Sequence, residues 1–140
     1  MRHVSVAIDI AAPVDRVWRA LTVPAEVSQW DGVLPVDVPD RYPLVGQHAR
    51  WLVRVGPLRL TLHDRIRVVE PGTRLASTID IGLVHIEEQY TLETTVGGTH
   101  VASDNEVSAR LPGLHRWAGL QTRWNLEASV RRLKRFCERA

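Results

Sequence analysis

Val4, Val6, Ile8 and Ile10 alternate with His3, Ser5, Ala7 and Asp9. This period of two predicts a half-buried opening strand. Pro13 follows at a position suited to the first turn of a helix. Val14, Val17, Trp18 and Leu21 then recur at i, i+3, i+4 and i+7, the stripe of an amphipathic helix. Pro24 ends that helix and opens a second, short one carrying Val27 and Trp30, and Asp31-Gly32 marks a turn. A run of strands follows. Leu34 to Val38 is short and broken by proline, which predicts an edge. In His48 to Val55, Ala49, Trp51, Val53 and Val55 share a face. In the next strand Leu58, Leu60, Leu62, Ile66 and Val68 do so. Leu75 to Asp80 is another strand. Val84, Ile86, Tyr90, Leu92 and Val96 share a face of the one after, Gly97-Gly98 reads as a two-residue hairpin, and Val101, Val107 and Ala109 lie on the last strand. Pro112-Gly113 precedes a long helix over residues 114–139. Hairpin-length connections favour antiparallel pairing, and helices segregated to the two ends of a strand run favour an α+β architecture.

Composition narrows the field. The 140 residues suit one domain, with 44% hydrophobic and 24% charged residues, as in an ordinary globular chain. Five of the eight aromatic residues are Trp. The net charge of +2 supplies no strong electrostatic footprint, so no nucleic-acid partner is expected. The single cysteine, Cys137, precludes an internal disulfide and reads as a small apolar residue. The six His are scattered singly, so neither a metal site nor a cofactor is expected. No stretch is long and apolar enough for a membrane span, and the alternating N-terminus does not read as a signal peptide, so a cytoplasmic location is expected.

The order of elements, together with IAAPVDRVWRALTVPAEVSQWDG near the start, resembles the START-like helix-grip (SRPBCC) superfamily, which includes polyketide cyclase/dehydrase-like proteins and lipid binders. VGQHARWLVRVGPLRLTLHDRIRVVEPGTRL resembles its second to fourth strands, and LEASVRRLKRFCE the end of its long helix. The likeness covers nearly the whole chain. It implies one ligand-binding domain over residues 1–140: a curved antiparallel sheet of about seven strands around the C-terminal helix, with two short helices after the first strand and an apolar cavity between sheet and helix. No catalytic motif is shared across the group, so function has to be argued from residues.

Polar residues that interrupt the apolar strand face are the informative ones, because burying them without partners costs about 1–3 kcal/mol each. Asp64 interrupts one strand, and Glu88, followed by Tyr90, another. The same parity selects Ser77, Ser103 and Asn105. If the sheet runs in the order that the resemblance implies, these strands are neighbours, and Asp64, Ser77, Glu88, Tyr90 and Asn105 meet on one cavity wall. Glu88 and Asp64 are then the candidates for general acid or base work, since an apolar cavity raises a carboxyl's pKa. The opposing parity, with Arg59, His63, Arg65, Arg67, His85 and Glu87, reads as a solvated face of cross-strand charge pairs. Arg50, Arg54 and Arg59 crowd one hairpin and read as a solvated edge.

On the long helix, Leu126, Val130, Leu133 and Cys137 form one stripe and Trp117, Leu120, Trp124 and Ala128 another. The resemblance sets the first against the sheet. Gly119 then falls at the cavity mouth, and Arg123 becomes the partner of Glu88 or Asp64, or of an anionic ligand. Trp117 and Trp124 either pack under the short helices, form a homodimer surface, or tilt into the pocket. Trp30 and Trp51 are candidates for lining the cavity. Three functions stay open: binding of a small hydrophobic, partly oxygenated molecule of polyketide or lipid type; cofactor-independent cyclisation, aromatisation or dehydration of it; and a non-catalytic carrier or cochaperone-like interaction domain.

Overall fold

The computed structural model describes residues 2–55, 57–111 and 115–139, leaving aside the side chains of residues 55 and 115–121. Seven strands form one antiparallel, curved sheet: β1 (Arg2–Ile10), β2 (Val33–Asp37), β3 (His48–Val55), β4 (Leu58–Glu70), β5 (Arg74–Ile81), β6 (Val84–Thr95) and β7 (Gly98–Ala109). Their spatial order is β1-β7-β6-β5-β4-β3-β2, so every neighbour but β1 with β7 is joined by a short connection. Three helices complete the α+β helix-grip fold: α1 (Val14–Thr22), α2 (Pro24–Trp30) and the long α3 (His115–Glu138).

The apolar stripes decide how these elements pack. The α3 side chains Leu126, Val130, Leu133 and Cys137 are all buried. Leu133 and Cys137 join Ile10, Val17, Leu21, Trp30, Leu75, Tyr90 and Val101 in the main core cluster, and Leu126 joins Val4 and Val107 in a second. Burial lifts the Cys137 thiol to about 11, so it is a packing residue rather than a nucleophile. Trp18 is half-buried against the main cluster.

Three details differ from the pattern reading. Pro13 caps α1 from outside, with its carbonyl accepting the amides of Arg16 and Val17 at 3.0 and 3.2 Å. A bulge between Ile66 and Val68 in β4 slips the pairing with β5, so Val69 and not Val68 lies opposite Leu75 and packs on the core. The β6–β7 turn consists of Val96 and Gly97, and Gly98 is the first residue of β7, paired with Thr95. A Cβ on Gly98 would stand 2.1 Å from the Ile10 carbonyl oxygen, so close backbone approach, together with a φ of 152°, requires glycine there.

Candidate functional site

The register sets the site. Ile66, Ser77, Glu88 and Asn105 are consecutive cross-strand partners on β4, β5, β6 and β7, and Leu75, Tyr90 and Ser103 form the next row. Asp64 pairs with Ile79, which pairs with Ile86. Asp64 and Glu88 are thus two strands and one row apart, roughly 10 Å across the sheet and 7 Å along it at their Cα atoms, and the concave curvature turns their side chains toward one space.

That space is a cavity of about 150 Å³. An apolar cavity of about this size accepts a benzene ring. Trp30, Trp51, Asp64, Ser77, Glu88 and Tyr90 line it, among apolar side chains such as Leu21, Leu62, Ile79 and Ile86. Asn105 and Arg123 are not in the described lining. Asn105 is buried, with its amide donating to Ser103 Oγ at 3.0 Å and its Oδ1 unpartnered. Arg123 is exposed beside Glu127 at 3.9 Å, one turn along its own helix, rather than reaching across to Glu88 or Asp64. That position spares the guanidinium the cost of desolvation. Gly119 and Trp117 lie outside the residues whose side chains are described. Trp124 is 73% exposed.

Two lining residues escaped the sequence reading. Asp31 follows α2 and looked like half of an Asp-Gly turn. Tyr42 stands in the β2–β3 loop, where period carries no information. The end of that loop is tied down by hydrogen bonds between the backbones of Gly46, Gln47 and Ile66. Tyr42 then stacks edge-on against Trp51, with ring centroids 5.9 Å apart. Only two tyrosines occur in the chain, so scarcity was the available clue.

The polar groups have sharply different partners. Tyr42 Oη donates to Asp64 Oδ2 at 2.6 Å, and Trp51 Nε1 donates to the same oxygen at 3.2 Å. Asp64 Oδ1 is buried with no hydrogen-bond partner. Burial raises the Asp64 pKa, and Tyr42, Trp51 and, without a formed hydrogen bond to Oδ1, Ser77 oppose the rise. Burial also lifts the phenols of Tyr42 and Tyr90 above their usual range, reinforced by Asp64 at Tyr42 and by Glu88 at Tyr90. Asp31 is pushed up to about 6 by burial, against the Ser129 hydroxyl that donates to it at 2.7 Å and the charge of Arg132. Among the described residues Glu88 has no hydrogen-bond or ion-pair partner, and burial, then the charges of Asp31 and Asp64, push it up to about 8. The shift favours the protonated form near neutral pH, in which the carboxyl is a hydrogen-bond donor. Trp30 Nε1 donates to the Ala20 carbonyl at 2.7 Å, which leaves its ring to form apolar wall.

Chemically, this is an apolar pocket with three carboxyl groups and no cation among its described lining. It favours a neutral ligand and disfavours an anion within it. Among the described residues, no group of three or more His, Cys, Asp or Glu side chains is placed to hold a metal ion, and no helix is long and apolar enough to cross a membrane.

A helix-grip sheet closed over a ligand-sized cavity defines a START-like ligand-binding domain. Residues 1–138 match the family described as polyketide cyclase / dehydrase and lipid transport, and the chain belongs to that family. The fold recurs in a Chromobacterium violaceum protein with a TM-score of 0.80 at 17% identity, each chain fully covered. A Mesorhizobium loti protein gives a TM-score of 0.78 at 23% identity, covering 99% of this chain and 98% of its own. DynU16, a protein of the dynemicin biosynthetic locus, gives 0.75 at 26% identity over 97% of this chain and 47% of its own. No curated protein matches the chain.

Proposed function

We propose that the domain binds a neutral, oxygen-bearing ring compound of polyketide or lipid type and eliminates water from it by acid–base chemistry. The observation that carries this reading is Glu88, a carboxyl without a partner among the described residues, lifted to about 8, that faces an apolar cavity shared with Asp64. In a β-hydroxy ketone, Asp64 would take the proton between the carbonyl and the carbinol carbon, using the oxygen that lacks a partner. The C–H electron pair forms the new double bond. The C–O pair leaves with the hydroxyl, to which Glu88 gives its proton, so one water departs. Tyr42 and Trp51 hold Asp64 in place, and Tyr90 stands beside Glu88 on the same wall. The family's cyclase and dehydrase members support this chemistry, and its lipid-transport members support binding without it.

The aldol adduct of benzaldehyde and acetone is a suitable probe, because its dehydration to benzalacetone is followed by ultraviolet absorbance. The native protein should release benzalacetone above the buffer rate and gain thermal stability with the adduct present. Glu88→Gln should lose turnover by roughly a hundredfold or more and keep the stabilisation. Unchanged turnover in that variant would remove Glu88 from the mechanism. Stabilisation without turnover in the native protein would reduce the function to binding, and no stabilisation by neutral ring ketones would overturn the binding reading itself.

A further inference from the structure

The cavity has a neighbour of opposite electrical character. A second, half-open space of about 430 Å³ lies between the start of β2, the β3–β4 pair and the middle of α3. The two spaces share Asp31, Val33 and Leu62 as a common wall. The inner one presents carboxyl groups and no described cation, whereas the lining of the outer one includes two arginines, Arg54 and Arg132. Arg132 is held by its Nε, which donates to the Trp30 carbonyl at 2.8 Å, and among the described residues its terminal amino groups have no hydrogen-bond or ion-pair partner. Its position is therefore fixed while its donors stay available. Arg54 is exposed and has no acidic partner among the described residues, and it stands directly opposite Arg59 across the β3–β4 pair. Like charges placed so are repulsive. Among the described residues Asp31 is the only acid lining this outer space; the Ser129 hydroxyl engages its carboxyl, and the charge of Arg132 also acts on it, without a hydrogen bond between the two.

We infer that the outer space is an anion subsite, and that the ligand is amphipathic: a neutral ring in the inner cavity joined by a short chain to a carboxylate or phosphate held by Arg132 and Arg54. This rests on the binding reading above and deepens it, by assigning the ligand one charged end and saying which end stays outside. A guanidinium pair matches the paired oxygens of either anion. A free acid and the phosphate of a carrier arm share that chemistry, and the test separates them.

The probes are ω-phenylpentanol, ω-phenylpentanoate and ω-phenylpentyl phosphate, titrated calorimetrically into the native protein, Arg54→Gln and Arg132→Gln. The native protein should bind one or both anions about tenfold more tightly than the alcohol. A preference for the phosphate over the carboxylate would indicate a phosphate-bearing carrier arm, and the reverse a free acid. Each variant should reduce the preference to about threefold or less, and Arg54→Gln should do so with alcohol binding unchanged. Arg54→Gln removes no contact within the fold, so it serves if Arg132→Gln fails to fold. Equal affinity for anions and alcohol, or a preference that survives both substitutions, would overturn the subsite and leave the inner cavity standing. No binding of any of the three would overturn the subsite together with the binding reading beneath it.

Discussion

Glu87 and Glu88 are adjacent in β6 and occupy opposite faces of one sheet. On the convex face Glu87 meets Arg67 at 3.0 Å, Thr78 Oγ1 at 3.0 Å and His85 Nε2 at 2.8 Å. His85 also meets Asp80 at 2.7 Å, and these two carboxylates hold its pKa above the usual imidazole value. On the concave face Glu88 has no such partner among the described residues, and its pKa rises to about 8. The two residues have the same side chain, share backbone pairing with β5 and β7, and are both half-buried. The difference is the company each keeps. Where counter-charges and hydrogen-bond donors are at hand a carboxylate stays ionised at little cost, and where apolar walls and other carboxyl groups surround it, it keeps its proton. A carboxyl that keeps its proton destabilises the fold at high pH and becomes chemically useful for the same reason.

The comparison can be broken at several points. The largest effect should come from the apolar wall itself. Trp30→Ala deletes a buried ring from the main core cluster and should cost about 3–5 kcal/mol in a denaturant titration, whereas the exposed Trp124→Ala should change stability by about 0.5 kcal/mol or less. A similar cost for both would mean that Trp30 is not structural wall.

Next comes Glu88→Gln, read against pH. The folded-state pKa of about 8 lies above the ordinary 4.5, so between these values the folded state holds a proton that the unfolded state has lost. Native stability should therefore fall as pH rises through that window and level off above it. The variant lacks this slope. It should melt several degrees above the native protein at about pH 9 and close to it at about pH 4, and parallel melting profiles would show that Glu88 ionises freely in the fold.

The smallest effect belongs to the convex face. Glu87→Gln should cost about 1 kcal/mol or less, because its partners are accessible to water. It should also lower the His85 pKa in an NMR titration, since Glu87 is one of the two carboxylates that raise it. Ligand binding should be untouched, and a loss of binding would mean that the two faces are not independent.

How much of this was legible in the chain varies by element. Alternation in β3 and β6 placed Trp51, Glu88 and Tyr90 on the concave face, because a strand's period is two and nothing interrupts these strands. The same rule failed at Val68, where one extra residue in β4 exchanged the faces. Tyr42 and Asp31 were out of reach, since a loop and a helix end have no period from which to infer direction. Arg123 was misleading for a related reason. A helical wheel gives a side chain's angle around the axis and says nothing of how far along the axis the cavity extends.

Local pattern alone therefore determined the strand and helix inventory, the antiparallel α+β class, the buried stripe of α3 and the polar interruptions at Asp64 and Glu88, because these follow from backbone periodicity and from the cost of wetting apolar side chains. The tertiary structure decided which of those interruptions share one cavity, that Asp64 is held by Tyr42 and Trp51 while Glu88 stands without a partner among the described residues, and that Arg54 and Arg132 line a separate space beside them. Proton affinity and ion pairing depend on distances between residues far apart in the chain and on the water left between them, and no local period encodes either.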